Sequence, residues 1–173
     1  MKRIVIALLA LIICMLNISA REKYSLTAKV GSGIPMSIPH ITPFTIEAMA
    51  HYNLTLHWAF GAGTGYGQYD NISTIPLYAN VKYTIRPQVK YNMFADCSVG
   101  YGFAIGDKKD GGFYLNPEFG VQRKFWNKTF SIAVGYQWQH LERLKSNTDN
   151  YVSSKFVESL SAQAITFKIG IMF

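Results

Sequence analysis

Histidines and glycines are the residues whose spacing first suggests binding chemistry in this 173-residue chain. His51 and His57 could approach each other across a hairpin, but two histidines alone make a weak metal site. The glycines that alternate from Gly61 to Gly67 could suggest a nucleotide-binding loop, but the residues between them alternate as in a strand. The sequence contains no phosphate-binding loop, nucleophile elbow or metal-ligand cluster. We therefore expect neither a metal nor another cofactor.

Charged residues supply a second pattern, because three bases and three acids occur at comparable positions in separate segments. They are Lys29, Glu47, Lys82, Asp96, Glu118 and Lys168. Each lies about four to seven residues from the same end of its segment, so at about 3.3 Å per residue in a strand they should share one layer. Buried charges are tolerated when they are balanced and hydrogen-bonded. We expect a salt-bridge network that closes the interior to ions; separate hydration of each charge is the alternative.

The elements that must position these charges are β-strands, because apolar residues recur with a period of two in eight segments. The clearest is the last, where Ile165, Phe167, Ile169, Ile171 and Phe173 share one face. The other seven apolar rows run through residues 24–30, 44–54, 56–62, 75–85, 93–105, 113–121 and 132–138. Pro117 interrupts the sixth strand, since proline cannot donate to a ladder, and predicts a local bulge.

The two faces of these strands differ in a way that predicts which one meets lipid. One face is apolar, whereas the other carries the six charges, amides and many glycines. Eight strands leave an interior just wide enough for side chains, which suits small and paired polar residues. We therefore predict an all-β fold, an eight-stranded antiparallel up-and-down transmembrane β-barrel with its apolar face outward. A soluble lipocalin-like barrel is the alternative, and it would need the polar face outside.

The connections between the predicted strands fall into a short and a long class. Residues 53–55, 86–91 and 123–128 form the short class, and residues 35–43, 67–74, 106–112 and 142–161 the long class. Short periplasmic turns and longer extracellular loops are typical of outer-membrane barrels, so both termini should be periplasmic. Residues 142–161 are the longest connection, and long loops on rigid scaffolds often bind ligands. This segment is the expected surface for an extracellular ligand.

The N-terminus predicts export. Residues 1–20 combine two basic residues, an apolar stretch and a small residue at the expected cut, as in a signal peptide, which leaves residues 21–173 as the barrel domain. Loss of Lys2 and Arg3 lowers the net charge from +7 to +5. The excess positive charge falls beside the short connections, where it should meet anionic lipid headgroups. Nucleic acid is excluded as a partner, because that charge lies on short turns of an exported barrel.

The signal peptide, eight alternating strands, unequal connections and terminal Phe173 together look like the small outer-membrane β-barrels of the OmpA and OmpX kind, over nearly all of residues 24–173. The resemblance implies the cell outer membrane of a Gram-negative bacterium and a monomer that contacts outer-membrane lipids. It also implies that Phe167, Ile169, Ile171 and Phe173 form the signal read by the outer-membrane assembly machinery.

The expected function is structural or one of surface interaction, with no enzymatic activity. Outer-membrane lipid A deacylases, which share this architecture, use the pattern His, any residue, Ser, Asn. Here His140 is followed by Leu141 and Glu142, and Ser146 and Asn147 come later, so the spacing departs from that pattern. A lipid A-modifying enzyme and a narrow small-solute channel remain the alternative functions.

Overall fold

The computed structural model describes residues 23–36, 42–69, 72–87, 90–105, 109–149 and 152–173. The predicted signal peptide lies outside these residues. Nearly all described residues belong to eight long strands. The strands are β1 Tyr24–Pro35, β2 Pro43–Asn53, β3 Trp58–Tyr69, β4 Ile72–Ile85, β5 Tyr91–Ile105, β6 Gly112–Phe125, β7 Lys128–Asp149 and β8 Val152–Met172. A two-residue segment, Lys109–Asp110, also pairs with β7. Among the described residues, no helix is long and apolar enough to cross a membrane.

The eight strands close into a barrel. Each strand pairs antiparallel with its neighbours in the chain, and β8 returns to pair with β1. The closing ladder runs from Thr27↔Met172 to Pro35↔Ala164. Closure leaves the sheet without a free edge within the barrel. The predicted eight-stranded antiparallel up-and-down barrel is confirmed.

The alternation in sequence becomes an inside and an outside in the structure. Apolar side chains face outward along every strand, as Ile132 and Ile169 do with 66% of their surface exposed. Charged and amide side chains face the interior, where Glu118 is 4% and Lys168 2% exposed. A soluble protein would bury the apolar face. The described barrel has the reverse arrangement, which is stable where lipid covers the outer face.

Pro117 does not produce the predicted bulge. The β5–β6 ladder passes through Cys97↔Pro117 without a change of register. On the other side of β6, pairing resumes at Glu118↔Gly135 in the register it had at Leu115↔Trp138. The proline therefore interrupts the β6–β7 ladder locally, as expected of a residue without a backbone donor, and adds no extra residue.

Three predicted connections are displaced or shortened, one of them the turn at residues 123–128, of which only residues 126–127 lie between the strands. The first short turn covers residues 54–57 rather than 53–55, because the Thr55 hydroxyl accepts hydrogen bonds from the backbone N–H groups of His57 (3.2 Å) and Trp58 (2.9 Å). Much of the predicted loop at residues 67–74 is strand, since β3 ends at Tyr69 and β4 begins at Ile72.

The largest correction concerns the predicted loop at residues 142–161, of which residues 142–149 and 152–161 form the outer part of a long hairpin. Strands β7 and β8 pair continuously from Thr129↔Met172 to Asp149↔Val152. Beyond His140↔Ser161 the two strands pair chiefly with each other, because β1 pairs with β8 only as far as Ala164. Pairing satisfies the backbone groups of both strands. Strands that extend beyond the lipid need no alternating apolar residues, so the sequence pattern does not reveal them.

Candidate functional site

Five of the six predicted lumen charges form a continuous cluster of ion pairs. Lys29 Nζ lies 2.7 Å from Asp96 Oδ2 and 2.6 Å from Glu118 Oε2. Lys168 Nζ lies 2.6 Å from Glu118 Oε1 and 2.5 Å from Glu47 Oε1. Glu118 therefore joins the two lysines, and the order of contacts is Asp96, Lys29, Glu118, Lys168, Glu47. We call these five residues the lumen ion cluster.

The lumen ion cluster crosses the barrel instead of following one wall. Lys29 lies on β1, whereas Asp96 and Glu118 lie on β5 and β6, on the opposite side of the closed sheet. All five side chains are almost fully buried. Ion pairs that cross a narrow lumen fill its section with side chains and bring opposite buried charges into contact.

Hydrogen bonds from neutral side chains add to the coordination of two acids, although Glu47 Oε2 has no hydrogen-bond partner among the described residues. Asn116 Nδ2 donates to Glu118 Oε1 at 2.6 Å, and the Tyr114 hydroxyl donates to Glu47 Oε1 at 3.0 Å. Such donors stabilise buried carboxylates in their charged form. Asn116 and Tyr114 follow one another at a spacing of two on β6, so their side chains share the inward face.

Lys82, the sixth predicted member, is held separately. Its Nζ donates to Gln122 Oε1 at 2.7 Å and lies 4.6 Å from the centroid of the Phe94 ring. Lys29 Nζ lies 5.7 Å from the same ring. The fully buried Phe94 thus contacts both ammonium groups, and Lys82 differs from the prediction by bonding to an amide instead of an acid.

Inward glycines make room for the long charged side chains. A Cβ on Gly135 would lie 2.7 Å from Glu118 Cγ, and one on Gly170 would lie 3.0 Å from Lys29 Cγ. Both distances are shorter than normal carbon contacts. Gly135 and Gly170 are therefore required by close packing at this layer.

Sequence reasoning missed an aromatic layer next to the lumen ion cluster. Tyr78 and Tyr114 stack with centroids 5.4 Å apart, and Met49 packs with them. The available signal was parity, because Tyr78 shares its strand face with Asn80, as Tyr114 does with Asn116. The apolar rows account only for the aromatic residues on the outward face.

The histidines considered as metal ligands are not brought together. His51 is buried in the lumen with Nε2 2.8 Å from Asn80 Oδ1, whereas His57 is exposed in the turn and donates from Nδ1 to the Thr84 carbonyl at 2.9 Å. The part of the chain that the structure describes contains no group of three or more His, Cys, Asp or Glu residues able to hold a metal.

The last strand places the predicted assembly signal on the outer surface. Phe167 and Ile169 are exposed, Ile171 and Phe173 are half-buried, and Lys128 Nζ lies 4.8 Å from the Phe173 ring centroid. Their recognition by an assembly machinery stays a prediction.

His140 lies near the far end of the barrel, directly opposite Ser161 in the β7–β8 ladder. The Ser161 hydroxyl accepts a hydrogen bond from Trp138 Nε1 at 2.7 Å. The side chains of Ser146 and Asn147, considered as partners of His140, lie outside the described residues. A serine therefore lies across the ladder from His140, and the sequence spacing gave no sign of it.

Comparison with solved structures identifies the architecture. OprG from Pseudomonas aeruginosa matches with a TM-score of 0.66 at 9% identity, covering 87% of this chain and 94% of OprG. Neisserial surface protein A matches with a TM-score of 0.57 at 13% identity, covering 87% and 96%. The outer membrane enzyme PagL matches with a TM-score of 0.50 at 7% identity, covering 83% and 97%. At these identities the likeness concerns the fold alone.

No family model and no curated protein matches the sequence. The closed antiparallel ladder, the inverted distribution of apolar residues and the structural matches nevertheless agree with one another. The chain has the fold of the small eight-stranded outer-membrane β-barrels, which its sequence pattern resembles.

Proposed function

We propose that this protein is a closed outer-membrane barrel with a structural or surface-interaction role. The observation that carries the proposal is the lumen ion cluster, whose ion pairs join β1 and β8 to β2, β5 and β6 across the interior. A buried cluster of ion pairs across the interior supports a closed lumen, because ions would have to break ion pairs of 2.5–2.7 Å to pass.

Conductance of purified protein in planar lipid bilayers tests this closure. We expect no steady conductance from the folded barrel. A matched pair of variants sharpens the result: Lys29→Ala removes a cation that crosses the lumen, whereas Lys124→Ala removes an exposed one at the strand end. Steady current of porin size in the unmodified protein would refute the closed lumen, and a small steady current would favour the narrow channel.

The proposed orientation places both termini and the turn at residues 54–57 in the periplasm and the β7–β8 hairpin outside the cell. The predicted signal peptide at residues 1–20 supports this direction. So does the concentration of basic residues at the same end, including Arg123, Lys124 and Lys128. Protease treatment of intact cells tests it, because cleavage should occur within residues 142–161 and not near the turns.

The β7–β8 hairpin is the proposed surface for an extracellular ligand, because it extends beyond the other strands. Its strands contain 22 and 21 residues, against 11 to 15 in the other six barrel strands. Deletion of residues 146–154 should abolish adhesion to a host or bacterial surface while heat-modifiable migration on gels persists. Unchanged adhesion after the deletion would exclude the hairpin as the binding surface.

A lipid A-modifying enzyme is the second candidate, favoured by the cross-strand neighbours His140 and Ser161. Neighbouring positions in a ladder are close enough for a base to approach a hydroxyl nucleophile. Mass spectrometry of lipid A from cells that express the protein, or its His140→Ala variant, separates the candidates. Identical lipid A in both strains supports the non-enzymatic role.

A further inference from the structure

The turn end of the barrel carries two different kinds of lipid-facing rim. On the β1–β4 side, aromatic rings pair with one another: the Tyr24 and Tyr52 centroids lie 5.2 Å apart, and those of Trp58 and Tyr83 lie 4.8 Å apart. On the β5–β8 side, rings pair with cations. The members of this cation-aromatic rim are Tyr91, Arg123, Phe125, Trp126, Lys128 and Phe173.

Both cations of this rim belong to the outward face of their strands. Arg123 has the same parity on β6 as the exposed Val121 and Phe125. Lys128 has the same parity on β7 as the exposed Phe130. Apolar side chains continue directly from this rim into the lipid-facing belt, so the cations lie where hydrocarbon gives way to headgroups.

Aromatic contacts hold these cations without consuming their hydrogen-bond donors. The Arg123 guanidinium carbon lies 5.0 Å from the Tyr91 ring centroid, and Lys128 Nζ lies 4.8 Å from that of Phe173. Stacking uses the face of a guanidinium and leaves its N–H groups available in the plane. Arg123 Nε is itself buried without a hydrogen-bond partner among the described residues, so a ligand would meet the terminal Nη groups. The rim thus presents oriented donors with positive charge.

We propose that the cation-aromatic rim is a binding site for anionic phospholipids, with Arg123 and Lys128 each contacting a headgroup phosphate. Phosphate oxygens suit both the charge and the donors of these side chains. The adjacent exposed rings of Phe125 and Trp126, stacked at 5.0 Å, pack beside the glycerol and upper acyl region. The β1–β4 rim offers paired aromatic rings without these cations and should not select charge.

Native mass spectrometry of the folded full-length chain in neutral detergent tests the site, with phosphatidylglycerol and phosphatidylcholine of identical acyl chains as competing probes. The site rests on the proposed membrane location, but this readout requires only a folded barrel, so failure of one does not imply failure of the other. We expect the unmodified protein to prefer phosphatidylglycerol by about thirtyfold, as two cations near an anionic surface imply.

Matched variants identify the residues responsible. Arg123→Gln with Lys128→Gln should abolish the preference, whereas Lys90→Gln with Lys124→Gln removes equal charge from the same end and should preserve it. If the first pair does not fold, each single substitution should reduce the preference about fivefold. Equal loss in both pairs would reduce the effect to general electrostatics and overturn the proposal, as would the absence of any preference in the unmodified protein.

Discussion

Glu118 and Phe119 are consecutive residues on β6, yet they belong to opposite regions of the molecule. Glu118 is 4% exposed and forms ion pairs with Lys29 and Lys168. Phe119 is 53% exposed and faces outward. Side chains in the lumen need specific partners, whereas the lipid-facing side chains of the strands, here called the outer belt, need only be apolar. The two regions should therefore respond differently to substitutions of similar size.

This difference follows from what replaces a lost contact. In the lumen, a removed side chain leaves a buried charge without compensation, which is unfavourable in a low dielectric. On the outer belt, mobile acyl chains fill the space left by a smaller side chain. The loss of stability on substitution should therefore depend on the number of charged partners of a lumen residue, and on the polarity of the new side chain at an outward position.

The largest effect is expected from Glu118→Ala, which leaves both lysines of the lumen ion cluster short of a partner. Breaking buried pairs in this way should lower the free energy of unfolding by about 3–5 kcal/mol. Urea unfolding of the barrel in lipid vesicles, followed by tryptophan fluorescence, measures it. Phe119→Leu is the matched control and should remain near the unmodified value. Equal stability of the two variants would contradict the proposed contrast.

The second-largest effect is expected from a charged residue on the outer belt. Phe119→Arg places a charge near the middle of a lipid-facing strand and should destabilise the barrel by about 2–4 kcal/mol. The same unfolding measurement applies. If Arg at this position were tolerated as well as Leu, the residue would not face hydrocarbon, and the inside-out assignment of β6 would be wrong.

A smaller effect is expected where the lumen is tightly packed without charge. A Cβ on Gly63 would lie 2.6 Å from both Met49 Cγ and Tyr78 Cε2, so Gly63→Ala should reduce stability by about 1–3 kcal/mol through overpacking. The neighbouring Ala62 is exposed on the lipid face, and Ala62→Val should have little effect. Similar losses from both substitutions would show that this packing does not distinguish lumen from surface.

Side-chain parity explains why so much of the barrel was predictable. Once a strand is recognised, its period of two assigns every residue to lumen or lipid, so Lys29, Asp96 and Lys168 could be placed inside without coordinates. The same rule applied to Tyr78 and Tyr114 would have revealed the aromatic layer. Strand ends were less predictable, because the β7–β8 hairpin leaves the lipid belt and loses the stripe that marks a membrane strand.

Partner choice within the lumen could not be predicted, because it depends on which strands face each other across the closed barrel. Asp96 lies opposite Lys82 in the β4–β5 ladder, yet its carboxylate contacts Lys29 of β1. Strand neighbours in the ladder are readable from hairpin register, whereas contacts across the interior depend on rotamers and on barrel curvature. The contact of the Phe94 ring with both ammonium groups is likewise not readable from hairpin register.

The smallest effect should come from Lys82, whose Nζ bonds to Gln122 and lies over the Phe94 ring. Lys82→Met loses one hydrogen bond but also removes the desolvation of a buried cation, so the net loss should stay below about 1 kcal/mol. Lys168→Met, measured in parallel by urea unfolding, should be much more destabilising because it leaves Glu47 and Glu118 without that partner. Equal losses would mean that Lys82 balances the cluster at a distance, since the five clustered residues comprise three acids and two lysines. In that case the stability of the barrel would depend on the net charge of the whole layer and not on the direct ion-pair contacts of each residue.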